Sequence, residues 1–317
     1  MKNWQLSLVF ALIHVGSLNF LYAQIASRVL GSPDVIVYDV KLVPGSNNLV
    51  ANLGDNIQVW DYKTGVMITS WSSLQTGAIS CFNNKVAGVT KSGNVIVWDL
   101  SDGKELLVSK IAESPLLCVA WLDGQHVVVG ADNGDLVKIN IDTRQQELRA
   151  NNSAAITALS GRDNVLLSGD AKGNVSIYDA KDLKLKTTLA AHKSWIRDMT
   201  LSTTRQDFVT TSDDGTYKIW RIGHGDENMG KHSLGGWVLC TDGISSLTEN
   251  VNFFAFGTSK GRVVVDVKVA RYSAKLNSMI NSVAIIESQL PQIVVALGTH
   301  GQGIQLLNAK DMKLDKH

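Results

Sequence analysis

A six-residue phrase recurs along this 317-residue chain at nearly even intervals. Asn56-Ile57-Gln58-Val59-Trp60-Asp61 comes first, and Asn94-Val95-Ile96-Val97-Trp98-Asp99 repeats it closely. Asn174-Val175-Ser176-Ile177-Tyr178-Asp179 keeps the phrase with Tyr for Trp, and Thr216-Tyr217-Lys218-Ile219-Trp220-Arg221 is a fourth copy. Weaker copies end at Ile139, Asp266 and Leu307, so the seven anchors are spaced by 38, 41, 39, 42, 46 and 41 residues. Apolar residues alternate at period two within each phrase, which calls for strands, and the Gly-containing tetrads between phrases call for hairpin turns. A unit of ~40–45 residues built this way is one four-stranded sheet, unable to bury both faces alone. Seven such sheets around an axis cover one another and leave only short edges in water. The expected fold is all-β, a seven-bladed β-propeller of four-stranded antiparallel blades.

Two phrases end in a Trp-Asp dipeptide, Trp60-Asp61 and Trp98-Asp99, and the best-preserved unit runs from Ala191-His192 to Trp220. On these residues the chain resembles the WD40-repeat family, over essentially all of residues 24–317. The resemblance implies a structural hydrogen-bond network in that unit: His192, Thr210 or Ser212, Asp214 and Trp220. Such a network satisfies buried polar atoms and ties inner strand to outer strand. Most other blades lack the His and the turn Asp, which marks a divergent member and weakens transfer of any particular partner. The ring must also close. Ser27 to Gly31 reads as an outer strand ahead of the first inner one, and Asn308 to Lys313 echoes Asp179 to Lys184. The N-terminal segment is favoured for the last blade, because it clasps the ring through sheet hydrogen bonds.

Residues 1–23 differ in kind. Lys2 precedes a stretch from Leu6 to Leu21 that is apolar apart from Ser7, His14, Ser17 and Asn19, and Ala23 stands before Gln24. This reads as a cleaved export signal; the competing reading is a permanent membrane anchor, for which the stretch is short against a span of ~20 residues and carries His14 and Asn19. The expected organisation is a signal peptide over 1–23 and one propeller over 24–317, periplasmic or secreted, without stable membrane insertion after cleavage. Without residues 1–23 the chain has 29 basic and 29 acidic side chains. Nucleic acid requires a concentrated basic face, and the nearest candidate, Lys181 to Lys186, reads as the solvated side of an edge strand. Nucleic acid is not an expected partner.

Aligned inner strands put Asp39, Cys81, Cys118, Ala158, Asp198, Cys240 and Ser282 at one crowded axial position. Equivalent positions in neighbouring blades should exceed the ~7 Å Cα limit for a disulfide, so the three Cys are expected free and shielded. Asp39 and Asp198 are expected to be solvated in a wet channel, not paired for acid/base work. His224, Asp226, Glu227 and His232 crowd a Gly-rich loop with nothing rigid to hold a metal, and Gly301-Gln302-Gly303 reads as a hairpin turn, not a phosphate loop. No catalytic residue, metal or cofactor is expected.

Three residues before the axial position lie Ile36, Ala78, Pro115, Ala155, Trp195, Trp237 and Met279. By the resemblance, this slot opens each inner strand on the narrower face of the ring, where partners commonly dock. Trp195 and Trp237, with Arg197 beside them, have the character of interface anchors, and Tyr38 and Met279 complete the expected partner-binding set. The alternative is that each Trp packs against its own loop. The expected function is a non-catalytic scaffold or sensor for a protein partner. The competing class is a propeller enzyme or small-ligand binder with its site in the channel. Three or more polar side chains converging at the channel would favour the latter, and exposed aromatic residues on the narrower face the former.

Overall fold

The computed structural model describes residues 28–162, 164–202, 207–223, 228–246, 251–267, 270–289 and 292–315. The expected signal segment lies outside the described residues. Seven antiparallel sheets surround one axis, six of four strands and one of five. The repeated phrases are the third strands of their blades: Asn56–Asp61, Asn94–Asp99, Asn174–Asp179 and Thr216–Arg221. The weaker copies take the same place as Asp135–Asn140, Arg262–Val267 and Ile304–Asn308. Innermost strands are Asp39–Leu42, Thr76–Phe82, Leu116–Trp121, Ile156–Arg162, Ile196–Leu201, Val238–Ser246 and Ile280–Gln289, here blades 1 to 7.

Strand alternation decides which neighbour each side chain meets. In blade 3, Cys118, Ala120 and Leu122 share a core with Ile156, Leu159 and Leu166 of blade 4. Val119 and Trp121 share one with Ala87, Val89 and Val97 of blade 2. Blade 7 is completed by Arg28–Leu30, which pairs antiparallel with Ile304–Leu306. The C-terminus goes elsewhere. A 3-10 turn over Ala309–Asp311 buries Met312 in the core shared by blades 6 and 7, and Lys313–Asp315 then adds a fifth strand to blade 6 beside Arg271–Ser273.

Two expectations need correction. In blades 3 to 7 the inner strand bulges by one residue, just before Cys118, Ala158, Asp198, Cys240 and Ser282. Blade 2 skips two residues, Gly77 and Ala78, between Thr76 and Ile79. Ala78, immediately before Ile79, therefore takes the axial place; Cys81 lies three residues further on, opposite Val86 and packed toward blade 1. Val89 is skipped on the facing strand, so the net offset is one residue as in the other blades; alignment on residue type slipped by three because Ala78 and Cys81 are both small. Likewise, Lys181 to Lys184 form the turn before the strand Leu185–Ala190, and only Lys186 lies on that strand, ion-paired to Asp179 at 3.0 Å.

Candidate functional site

The inner strands enclose a channel of about 580 Å³ lined by Asp39, Lys41, Asp198 and Asp242 among others. Asp39 and Asp198 are not solvated loners, as expected from sequence, but latches between blades. Asp39 Oδ2 accepts from the Ile79 amide of blade 2 at 3.1 Å, and its Oδ1 accepts from Ser282 Oγ of blade 7 at 2.6 Å. Asp198 accepts from Thr241 of blade 6 at 3.0 Å and from its own neighbour Met199 at 2.8 Å. Asp242 does the same toward blade 7, accepting from Ile285 and Gly243, each at 2.8 Å. The Lys41 ammonium lies 3.2 Å from Asp39. Burial alone would pull Lys41 down, but Asp39, Asp198 and Asp242 together hold it above the ordinary lysine value. Burial pushes Asp198 up to about 6 against the pull of Lys41, and it raises Asp242 too. Sequence reasoning missed Lys41 and Asp242. Each lies two residues beyond an axial position, so strand period alone could have placed them on the same side.

A bulge leaves a backbone carbonyl without its ladder partner, and at several interfaces the preceding blade supplies one. Thr157 Oγ1 donates to Ile196 O at 2.6 Å, and Asn281 Nδ2 to Val37 O at 2.9 Å. Cys118 Sγ reaches Ile156 O at 3.3 Å, and Cys240 Sγ reaches Ile280 O at 3.8 Å, as weak thiol donors. All three Cys are free; Cys118 and Cys240 are buried and Cys81 is half-buried. Burial pushes the Cys81 thiol up to about 12 and raises the other two as well.

In blade 5, His192 Nδ1 lies 3.0 Å from Asp214 Oδ2, and Nε2 lies 2.7 Å from Thr210 Oγ1. Trp220 Nε1 donates to the same Thr210 oxygen at 3.0 Å. An indole can only donate, so the Thr210 proton goes to His192 Nε2, and the ring proton sits on Nδ1 facing Asp214. Burial lowers the His192 pKa and keeps the ring neutral. Burial would raise Asp214, but hydrogen bonds from Thr216 and His192 hold it down at about 2. The bridging hydroxyl is thus that of Thr210. Ser212, the other candidate, instead shapes the turn, accepting from the Asp214 amide and donating to Ser194 O, each at 3.1 Å.

At the end of the ring where the inner strands begin, the Trp195 and Trp237 side chains are 43% and 55% exposed. Their carbonyls accept from Asp213 N and Ser259 N, as Pro115, Ala155 and Met279 accept from Asp132, Ala171 and His300, so these five residues hold one slot. Blade 2 fills it with Gln75, three residues before Ala78, and blade 1 with Ile36, bridged to His300. Arg197 stands on the blade 5 bulge. Its guanidinium lies 5.1 Å from the Trp195 ring centre and holds Asp213 through two bonds of 2.8 and 2.6 Å. Tyr38 is 49% exposed with its ring against Gly54, and Met279 is half-buried. His224, Asp226 and Glu227 lie outside the described residues, whereas the His232 ring stacks on Tyr217 with centres 4.9 Å apart. Among the described residues no group of three His, Cys, Asp or Glu could hold a metal ion.

A family model described as "WD domain, G-beta repeat" matches residues 183–221, the stretch that holds the His192 network. Polyadenylation factor subunit 2 of Candida albicans is 30% identical over 138 residues, covering 42% of this chain and 25% of that protein. Autophagy-related protein 16 of Arabidopsis thaliana is 23% identical over 174 residues, covering 52% and 34%. WD repeat-containing protein 55 of the same plant is 28% identical over 103 residues, covering 32% and 29%. The match thus spans between a quarter and about a third of these relatives. Among solved structures, the crystal structure of RRP9 WD40 repeats superposes with a TM-score of 0.77 at 12% identity, covering 90% of this chain and 97% of that one. The chain is thus a seven-bladed β-propeller in which one stretch, residues 183–221, matches the WD repeat.

Proposed function

We propose that the protein is a non-catalytic scaffold, acting outside the cytoplasm, that holds a protein partner on the narrower face of the ring. The observation that carries this reading is the pair of indoles left largely open to water in the same slot of adjacent blades. Large aromatic side chains beside an Arg are the groups that dominate interface energetics, and Tyr38 adds a third exposed ring on that face. A relative named as a subunit of a factor is consistent with such a role. A small-ligand site in the channel is the second reading, favoured by the convergence of Asp39, Lys41, Asp198 and Asp242. It ranks lower because the oxygens of all three carboxylates already accept hydrogen bonds.

A crosslinked pull-down from the native envelope or secreted fraction, followed by titration of the recovered partner, tests the scaffold. Trp195→Ala/Trp237→Ala should weaken that partner by about 2 kcal/mol or more. Unchanged affinity in the double variant would remove this face from consideration. The export part rests on residues 1–23, and N-terminal sequencing of the protein from its host should begin at Gln24. A retained Met1 would overturn cleavage, and recovery of the chain in the cytoplasmic fraction would overturn export.

A further inference from the structure

The narrower face is not chemically uniform, and its asymmetry identifies what the two Trp would hold. The chain enters blade 6 through Leu234-Gly235-Gly236-Trp237. A Cβ at Gly235 would meet nothing within 4 Å, and one on Gly215, in the blade 5 hairpin, would lie 3.3 Å from Gly236 O. The hairpin that begins at Asp213, the partner of Arg197, therefore abuts the loop that ends at Trp237. Beside Trp237 the backbone is open over Gly235, whereas the Lys260 stem and Ser259 cover Gly236.

The fixed charges on this strip are unequal. Asp213 is paired with Arg197, and Asp214 is engaged by His192 and Thr216. Lys193, two residues before Trp195, is exposed and joins no ion pair among the described residues. Lys260 is exposed too, its stem 3.1 Å from where a Cβ on Gly236 would lie, and the Lys275 ammonium donates to the Lys260 carbonyl. The strip thus carries ammonium groups at both ends and, among the described residues, no unengaged carboxylate. Across the ring, the loops and hairpins of blades 1 to 3 present exposed Asp34, Asp55 and Asp132 against Lys91.

We propose that this strip takes an extended acidic peptide segment, seating an apolar side chain over Gly235 beside the Trp237 ring and carboxylates on Lys193 and Lys260. The inference rests on the scaffold reading above and adds the chemistry of the partner. A polyphosphate strand fits less well, because its charge runs on past the strip toward the acidic side of the face, and nucleic acid binding needs a continuous basic track.

The test uses the mature chain and three labelled probes followed by fluorescence anisotropy: a Glu/Leu peptide, its Lys/Leu counterpart, and a single-stranded oligonucleotide of equal charge to the first. The Glu/Leu peptide should bind, weaken about tenfold as salt rises from low to physiological levels, and weaken at least tenfold with Lys193→Glu/Lys260→Glu. These residues are exposed, so an unchanged melting curve for the variant verifies the fold. Equal binding of the basic peptide, tighter binding of the oligonucleotide, or indifference to charge reversal would each overturn the proposal. The native partner separates the two claims. Its loss with the Trp variant but not the Lys variant keeps the docking face and removes the acidic peptide. Its retention by both variants removes the face itself.

Discussion

Blades 5 and 6 stand side by side, open on a Trp in the same slot, and differ in what fills the place of His192. In blade 5 a buried His192 joins Asp214 to Thr210, which in turn accepts from Trp220. In blade 6 Leu234 takes the place of His192; the amides of both residues donate to the hairpin carbonyl of the blade before, Gly173 O and Gly215 O. Its core is Phe253, Phe254 and Phe256, with Phe256 stacked on Tyr217 of blade 5 at 3.9 Å between ring centres. The comparison separates what the fold requires from one way of meeting it. A blade needs covered faces and satisfied carbonyls; a polar network or aromatic packing can complete the core, while backbone amides satisfy the hairpin carbonyls in both blades. The family model matches blade 5 because only the polar solution leaves a residue-specific signature.

The largest expected effect lies in the apolar blade. Phe256→Ala removes a fully buried ring and should cost about 3–5 kcal/mol in urea unfolding. His192→Ala should cost less, about 1–3 kcal/mol, by stranding Asp214 and Thr210. If the His192 variant proves the more destabilised, polar bonding and not packing consolidates this half of the ring. Blade 5 itself carries two opposite pH responses. His192 is depressed in the fold, so the unfolded chain takes up its proton first and stability is lost as pH falls below about 6.5. Asp198, at the latch to blade 6, is raised to about 6. The folded state keeps its proton where the unfolded chain releases it, so stability declines as pH rises from about 4 to about 6. Asp198→Asn keeps an oxygen for the Thr241 amide and should flatten that decline, an effect on the order of 1 kcal/mol after solvent screening. A variant that retains the wild-type slope would assign the titration to another group, with Asp242 next in line. This is the smallest of the three effects and needs stability curves at closely spaced pH values.

Much of the candidate site was readable from the chain, though unevenly. The slot holding Trp195 and Trp237 followed from counting back along aligned strands, and the structure gives both residues equivalent backbone bonds. The same count failed in blade 2, where it started three residues late and took Cys81 for Ala78. Lys41 and Asp242 were overlooked although strand period places them beside axial residues. Their meeting with Asp198 joins blades 1, 5 and 6, far apart in sequence.

What the sequence determined by itself is the number and kind of units, because alternation at period two and turn-forming glycines are local properties of the backbone and its side chains. Seven phrases specify seven sheets, and sheets with two apolar faces must stack. The N-terminal closing strand was also expected from the chain; tertiary structure alone decided where the C-terminus goes and what the polar axial residues do. Arg28–Leu30 could complete blade 7 only once the ring had brought it beside Ile304–Leu306, and Met312 sank between blades 6 and 7, leading Lys313–Asp315 to blade 6. Asp39, Asp198 and Asp242 became latches for the same reason. A carboxylate finds the amide of a strand some forty residues away only when ring closure places that strand next to it.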